Sequence, residues 1–401
     1  MGERSPKRRA PGAVPVVGVS LAALAAGTFV SVGIGVLAPE LQADFGFSRT
    51  GIGVLIALVS VGASLASRRA GKLTDSLGPA PVLAGSLVVL AVASGVAAVA
   101  PVAGLLMVAV FFVGLAYGGL SPPTNVVVAG QMSSRLGLLM SLKQTGVPVG
   151  GFLAGLVMPP VALALDWRVG FGLAALVAAA VAASTVWLRG ASVLRSPGMG
   201  GAPATIDRSE RLTIAGYGFV MAGTQWVFLT YLVLYLTERQ GWSLRTAGLA
   251  LSVGTASSVA GRLFWGWLSD RPGRRVPALL ATSGIAAAML SLVAGGIGGA
   301  ALWPVAAATG AALVGWNGVF HALVTDRASS GSLGKVSGEI MSVVFAGSVC
   351  LPPLFGLISE QLDSWTLLWA LAAGAVALAA IGLWIGVRGS AAAAAAPTRS
   401  R

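Results

Sequence analysis

Twelve long apolar segments constrain what this chain of 401 residues can fold into. They occupy roughly 14–38, 51–68, 79–99, 103–129, 137–163, 169–188, 212–236, 246–268, 276–296, 300–323, 337–358 and 365–387. Crossing the hydrocarbon of a bilayer takes about 20 apolar residues in a helix. A lipid-facing backbone must satisfy its own hydrogen bonds, and the segments lack the alternation of barrel strands. The sequence therefore predicts an all-α membrane protein with twelve transmembrane helices.

Composition and charge support this interpretation. Of the residues of this chain, 56% are hydrophobic and 10% are charged. In soluble domains about a quarter of all residues are charged. The net charge of +13 is spread over loops rather than over one face, which argues against nucleic acid as a partner. The apolar run after the basic N-terminus is too long for a signal peptide. Cys350 is the single cysteine, so neither an internal disulfide nor a cysteine metal cluster is expected.

The distribution of Lys and Arg predicts the orientation. With a cytoplasmic N-terminus, twenty of these residues fall on inner segments and four on outer segments. Positive residues concentrate on the cytoplasmic side of membrane proteins. We therefore expect an integral protein of the plasma membrane, which in a bacterium is the inner membrane, with both termini cytoplasmic.

A ten-residue motif occurs twice. GKLTDSLGPA at 71–80 and GWLSDRPGRR at 266–275 stand 195 residues apart, and a second register of 201 residues relates 137–146 to 338–347. Three further pairs follow the first register: Gly46 with Gly241, Ser48 with Ser243 and Gly53 with Gly248. The chain is therefore a duplication.

The duplication predicts the domain organisation. We expect six-helix bundles at 14–188 and 212–388, joined by a cytoplasmic linker at 189–211 and flanked by tails at 1–13 and 389–401. The linker is rich in Gly, Pro and Ser, which favours a flexible tether. Glycine is abundant inside the predicted helices, where small residues let transmembrane helices approach closely.

The two repeats, the central loop and the motif G-x-L-x-D-R-x-G-R-R at 266–275 together resemble the major facilitator superfamily. The resemblance covers nearly the whole chain. It implies the major facilitator fold, with two pseudo-symmetric six-helix bundles, and secondary transport by alternating access. The copy at 71–80 departs from the pattern, because Ser76 replaces the arginine and Pro79 and Ala80 replace the basic pair.

The motif residues can act as a cytoplasmic latch. Gly71 and Gly266 would permit close helix contact, and the resemblance implies that Asp75 and Asp270 approach helix N-termini of the opposite bundle. Arg135 and Arg327 are candidate ion-pair partners for them. The predicted gating residues are Gly71, Asp75, Gly78, Gly266, Asp270, Arg271, Gly273, Arg274, Arg275, Arg135 and Arg327. The alternative is that these charges only fix the topology.

Two cations inside apolar segments are candidates for substrate binding, because buried charge in a membrane is costly. Lys143 lies in the fifth segment and Arg262 in the eighth. In the fold that the resemblance implies, these helices are neighbours across the bundle interface, so both cations could face one cavity and bind a carboxylate. Arg262 also resembles the helix-eight arginine of monocarboxylate- and oxalate-type carriers. The alternatives are snorkelling of Lys143 and a structural pair of Arg262 with Glu339 or a helix end.

Polar and aromatic residues occupy other helices that are expected to line the cavity. The further candidate substrate-binding residues are Tyr117, Asn125, Gln225, Trp226, Tyr231, Trp316 and Asn317. The sequence SPPTN at 121–125 would break the fourth helix locally. Such a lining suits a small organic acid with an apolar body, and it suits a drug-like molecule almost as well.

Glu339 and His321 are the candidates for proton coupling, because no Asp or Glu lies near the middle of any apolar segment. A lone histidine near a helix end is also an ordinary interfacial residue. Exchange with a counter-substrate, uniport and proton coupling are all compatible with the sequence.

The sequence thus favours a secondary active transporter of a small organic anion or carboxylate. The alternatives are a multidrug or other small-molecule efflux transporter and a non-transporting membrane sensor or scaffold. An enzyme is disfavoured because the apolar segments hold no acid–base pair and no metal cluster. We expect a monomer that uses no cofactor, with a small-molecule substrate and membrane lipid as its partners.

Overall fold

The computed structural model describes residues 13–130, 136–188, 208–271, 273–327 and 333–395, and most of these residues are helical. In the described ranges the α-helices are α1 (Ala13–Val36), α2 (Ala38–Phe45), α3 (Arg49–Leu77), α4 (Pro79–Ala98), α5 (Ala103–Ala129), α6 (Leu136–Gln144), α7 (Gly146–Ala164), α8 (Trp167–Ser184), α9 (Arg208–Glu238), α10 (Leu244–Ser269), α11 (Arg275–Ala294), α12 (Leu302–Thr309), α13 (Asn317–Arg327), α14 (Leu333–Gln361) and α15 (Trp365–Ala395).

The prediction of an all-α membrane protein is confirmed. Within the described residues, eleven helical stretches are long and apolar enough to cross a bilayer. The remaining predicted segment, 246–268, is also helical, as α10, but Arg262 and several Ser and Thr residues lower its hydropathy. At the C-terminus α15 extends to Ala395, so the predicted tail 389–401 begins as helix.

Packing groups the chain into two compact units. The first lies within Met1–Gly33, Val61–Gly151 and Val161–Pro197, and the second within Ile34–Ser60, Phe152–Pro160 and Gly198–Arg401. These bounds differ from the predicted bundles, because 34–60 and 152–160 pack with the C-terminal half. Residues 189–207 of the predicted linker lie outside the described residues. The last residues of that linker, from Arg208, belong to α9.

Two predicted segments are interrupted. The fifth divides at Thr145 into α6 and α7. Pro148 explains this break, because it lacks the N–H that would bond the Gln144 carbonyl and its ring crowds that carbonyl. The tenth contains a π-helical turn, Gly310–Val314, between α12 and α13. Turns of this kind are frequent at functional sites.

The prediction of a helix break at 121–125 is wrong, because α5 runs continuously through Pro122 and Pro123. The hydroxyl of Thr124 lies 2.8 Å from the Leu120 carbonyl oxygen and 3.0 Å from that of Ser121. Prolines are tolerated in transmembrane helices where side-chain hydroxyls and neighbouring helices compensate for the disturbed backbone.

The duplication is visible in backbone conformation. Gly46 and Gly241 adopt φ values of 67° and 66°, and Gly78 and Gly273 adopt 89° and 73°. Each pair is 195 residues apart, and glycine adopts this left-handed region without steric cost. The paired serines also match in function, because Ser48 Oγ accepts from the Gly51 N–H and Ser243 Oγ from the Thr246 N–H. Both serines therefore cap the helices that follow them.

Candidate functional site

Lys143 is the most deeply buried charge among the described residues. Its side chain has no exposed surface. Its ammonium donates a hydrogen bond to Asn125 Oδ1 and lies 3.4 Å from Thr124 Oγ1, both on α5. In the ranges that the structure describes, no carboxylate lies within ion-pair distance of this ammonium. Among the described residues this buried positive charge therefore has neutral partners only, which is a costly arrangement.

The break between α6 and α7 positions this lysine. Lys143 is the last residue but one of α6, directly before the interruption at Thr145. Beyond it α7 packs tightly on α1, since a Cβ on Gly146 or Gly150 would overlap the carbonyl oxygens of Leu21 and Ala25. Close approach of small residues fixes helices against each other in a bilayer. The start of α7 therefore anchors the backbone that carries Lys143.

Tyr117 and Asn125 also lie in the first unit, on α5. Asn125 is exposed apart from its bond to Lys143, and Tyr117 is half-buried. The ring of Tyr117 covers Gly27 of α1, where a Cβ would approach Tyr117 Cδ2 to 2.6 Å. Of the predicted substrate-binding residues in this unit, Lys143 and Asn125 are thus in direct contact.

Three predicted residues of the second unit form one hydrogen-bonded cluster. Gln225 Oε1 on α9 accepts from Trp316 Nε1 at 3.0 Å and from Asn317 Nδ2 at 3.1 Å. Trp316 follows the π-helical turn, and Asn317 also donates to the Val314 carbonyl of that turn. The sequence identified all three residues but contained no signal that they meet.

The indole fixes the orientation of the Gln225 amide. An indole N–H is a donor only, so the Gln225 oxygen must face Trp316. The two N–H groups of the Gln225 amide consequently point away from Trp316 and Asn317. The half-buried Gln225 therefore presents donors, which suit an acceptor oxygen of a ligand.

Aromatic packing holds Trp316 in place. Its ring lies 4.9 Å from Phe320 and 6.0 Å from Tyr217 between centroids. The Tyr217 hydroxyl is 2.9 Å from Ser283 Oγ of α11. Trp316 is therefore rigid, and so is the donor that orients Gln225.

Trp226 and Tyr231 do not join this cluster through any contact among the described residues. Trp226 is half-buried. Tyr231 is fully buried, and its hydroxyl lies 2.9 Å from the Arg49 carbonyl and 2.8 Å from that of Pro352. These contacts give Tyr231 a packing role.

The remaining predicted ionisable residues lie in the second unit. Arg262 is half-buried on α10, and His321 is exposed on α13. Glu339 forms an ion pair of 2.8 Å with Arg211 of α9. The suggested pair of Arg262 with Glu339 is therefore absent from the described contacts, because Glu339 bonds to another arginine.

The second motif copy is organised by Arg275. Its guanidinium lies 3.1 Å from Asp270 and 3.0 Å from Asp326, a residue of α13 that the sequence interpretation missed. Gly273 supplies the left-handed turn, and the Arg271 guanidinium stacks 5.0 Å above Trp267. Arg275 thus ties the motif loop to the end of α13.

The other predicted motif residues have the following surroundings in the structure. Arg327 was expected to pair with a motif aspartate, but it bonds to Glu210 at the start of α9. A Cβ at Gly71 or Gly266 would meet nothing within 4 Å among the described residues, so neither glycine makes the expected close contact here. Asp75 is exposed. Arg135 lies outside the described residues, and Arg274 is the exposed residue before α11.

No three His, Cys, Asp or Glu residues of the described ranges are grouped as metal ligands.

Arg49 is a further residue that sequence reasoning used only for orientation. Its guanidinium pairs with Glu238 at 2.8 Å, although the two are far apart in sequence. An ion pair between two helix ends that are far apart in the chain leaves no pattern in the local sequence.

Comparisons with known proteins agree with this fold. The sequence profile of the Major Facilitator Superfamily matches residues 19–341. The chain is 26% identical, over 91% of its length and 83% of the relative's, to an uncharacterized MFS-type transporter of Mycobacterium tuberculosis (strain CDC 1551 / Oshkosh). It is 22% identical to the hexuronate transporter of Bacillus subtilis (strain 168), over 87% of this chain and 88% of that protein.

A solved structure matches over nearly the whole chain. It is the crystal structure of a bacterial homolog to the human lysosomal transporter Spinster, in an inward-facing and occupied conformation. The TM-score is 0.75 at 14% identity, covering 98% of this chain and 97% of that one. At this identity the likeness concerns the fold alone.

Proposed function

Because the chain belongs to the Major Facilitator Superfamily, we propose that this transporter carries a small organic anion with a carboxylate group. The observation that carries the proposal is Lys143, a buried ammonium whose described partners are the neutral side chains of Asn125 and Thr124. An anionic ligand would supply the missing charge. The similarity to a hexuronate transporter supports the same class, because hexuronates are sugar acids.

Gln225, in the second compact unit, is a further candidate for contact with the substrate. Its amide presents two N–H donors, held by Trp316 and Asn317 through the oxygen. A carboxylate or hydroxyl oxygen of the substrate can accept from such donors. We propose no role for Tyr231, and we keep Tyr117, Trp226 and Arg262 as candidates on the sequence argument.

The transporter is proposed to work by alternating access of the halves 14–188 and 212–388, in the plasma membrane, with both termini cytoplasmic. Family membership supports the proposal of alternating access. The twenty-to-four excess of Lys and Arg on the inner segments supports the orientation. His321 is retained as a candidate for proton coupling, whereas Glu339 is a weaker one because it is already paired with Arg211.

A thermal-shift experiment on the purified protein in detergent tests the proposed substrate class. Matched ligands should be titrated: a hexuronate against its neutral hexose, a monocarboxylate against its amide, and a lipophilic cation. A ligand at 100 times its dissociation constant stabilises by about 2.7 kcal/mol, which is readily measured. We expect the acids to stabilise the protein and their neutral analogues to leave it unchanged.

Two variants localise the effect. Lys143→Met should abolish stabilisation by the acid, whereas Lys72→Met removes an exposed lysine of α3 and should preserve it. Stabilisation by the lipophilic cation instead would favour a multidrug transporter. Absence of any ligand effect, together with absence of flux in proteoliposomes, would favour a sensor or scaffold and contradict the proposal.

A further inference from the structure

Five charged or polar residues form a cluster at the start of α3, at the opposite end of this helix from the first motif copy at 71–80. They are Arg49 and Thr50 at the start of α3, Glu238 at the end of α9, and Glu360 and Asp363 at and beyond the end of α14. We call this group the far-end cluster. All five residues lie within the second compact unit.

Arg49 is the centre of the far-end cluster. Its Nε and Nη2 lie 3.1 and 2.8 Å from Glu238 Oε2, and its Nη1 lies 3.3 Å from Asp363 Oδ1. Nη1 also donates to the Ser359 carbonyl at 3.1 Å. The guanidinium stacks 4.6 Å from the ring centre of Trp365, whose indole donates to the same Glu238 oxygen. One side chain of α3 thus contacts α9, α14 and α15.

Thr50 adds a second connection. Its hydroxyl donates to Glu360 Oε2 at 2.6 Å and its backbone N–H to the same oxygen at 3.2 Å. A carboxylate at the first turn of a helix is favoured by the helix dipole as well. The beginning of α3 is therefore held by α14 independently of Arg49.

Close backbone packing lies directly below the charges. A Cβ on Gly53 would approach Pro353 Cα to 2.6 Å, and one on Gly356 would approach the Arg49 carbonyl oxygen to 2.7 Å. Three turns along α3, the buried Ser60 hydroxyl lies 3.4 Å from the Ser348 carbonyl. The face of α3 from Arg49 to Ser60 is therefore sealed against α14.

The location of Arg49 argues that it does more than fix the topology. It is one of only four cations on the predicted outer segments, the side on which Lys and Arg are scarce. The acids around it are partly exposed, and Asp363 is 90% exposed. Exposed ion pairs are individually weak, so the contacts can break reversibly during a transport cycle.

We infer that the far-end cluster is a lock that keeps α3 closed against α9 and α14 at this end, and that Arg49 is its central residue. Breaking the Arg49 contacts removes part of the hold on the start of α3, so α3 separates from α14 more often and water then enters between them as far as Ser60. The inference concerns the conformational cycle and holds for any substrate class.

Cysteine accessibility tests the lock without a substrate. The reporter is Ser60→Cys in a Cys350→Ser background, labelled with a membrane-impermeant maleimide in right-side-out vesicles. We expect Arg49→Gln, and separately Glu238→Gln, to raise the labelling rate by about tenfold, which corresponds to a shift of about 1.4 kcal/mol in a two-state equilibrium. Arg245→Gln is the matched control, because Arg245 is an exposed arginine in the first turn of α10.

A second reporter separates local opening from unfolding. Ser94→Cys, at a buried position of α4, should stay protected in every variant if only the lock opens. Equal labelling of both reporters would mean general unfolding and would overturn the inference. Labelling of Ser60→Cys at the parental rate in both Arg49→Gln and Glu238→Gln would overturn it as well. Neither result would touch the proposed carboxylate specificity.

Discussion

The indole nitrogen of Trp316 lies 3.0 Å from the side-chain oxygen of Gln225, and this bond determines which way the Gln225 amide faces. The tryptophan is held by Tyr217 and Phe320, so the orientation is built into the packing of α9 and α13. A rigid donor that orients a flexible amide prepares it for a ligand before the ligand arrives, which lowers the entropic cost of binding.

Gln225→Glu should keep the fold and lose anion binding. The glutamate carboxylate can still accept from Trp316 and Asn317, but it donates nothing when ionised and repels an anion. We expect a melting temperature close to that of the parent and no thermal shift with the acid that stabilises the parent. Trp316→Phe should weaken the response less, since the amide remains but is no longer oriented.

The control for this pair of variants is Trp187→Phe, which changes an exposed tryptophan of the short helical turn after α8. It should behave like the parent in both measurements. Retention of the full ligand response in Gln225→Glu would remove Gln225 from the candidate substrate-binding residues.

Lys143→Met should not destabilise the protein in the absence of ligand. Methionine fills a similar volume without the cost of a buried charge, and replacing buried ionic groups by apolar ones is often neutral or stabilising by about 1–4 kcal/mol. The hydrogen bonds to Asn125 and Thr124 oppose this gain. We therefore expect thermal unfolding in detergent at the parental temperature or above it, with Lys72→Met as the surface control.

A loss of more than about 1 kcal/mol in Lys143→Met, the size of an ordinary hydrogen bond, would indicate that the contacts with α5 are structural. In that case the buried charge would be explained by folding, and the proposed carboxylate site would lose its main support. Retained or raised stability with a lost ligand response is the pattern of a residue kept for function.

Local chemistry explains what the sequence could predict. The register of 195 residues correctly paired Gly46 with Gly241 and Ser48 with Ser243, because a left-handed turn and a helix cap each require particular residue types. Such requirements are met within a few residues of the chain. They are therefore visible in the sequence without knowledge of the fold.

Tertiary context explains what the sequence could not predict. Pro148 interrupts its helix, whereas Pro122 and Pro123 leave α5 continuous, so the same local signal has opposite outcomes in two helices. Similarly, the partners of Arg49 and Arg275 come from distant helix ends. The cluster of Gln225 with Trp316 also lies next to the π-helical turn, which no residue pattern in the tenth segment predicted.

Gly310→Ala tests whether that π-helical turn is required for the Gln225 cluster. A Cβ on Gly310 would overlap the carbonyl of Gly254 on α10, so alanine must push α10 and the turn apart. Overpacking of this kind costs about 1–3 kcal/mol.

Gly318→Ala, eight residues along the same segment in open space, is the matched control and should be neutral or slightly stabilising. We expect only Gly310→Ala to lower the melting temperature, and to weaken the response to the acid because Trp316 is displaced from Gln225. Equal melting temperatures for the two variants would mean that the turn yields freely, and the rigidity argued for Trp316 and for the Gln225 donors would then fail.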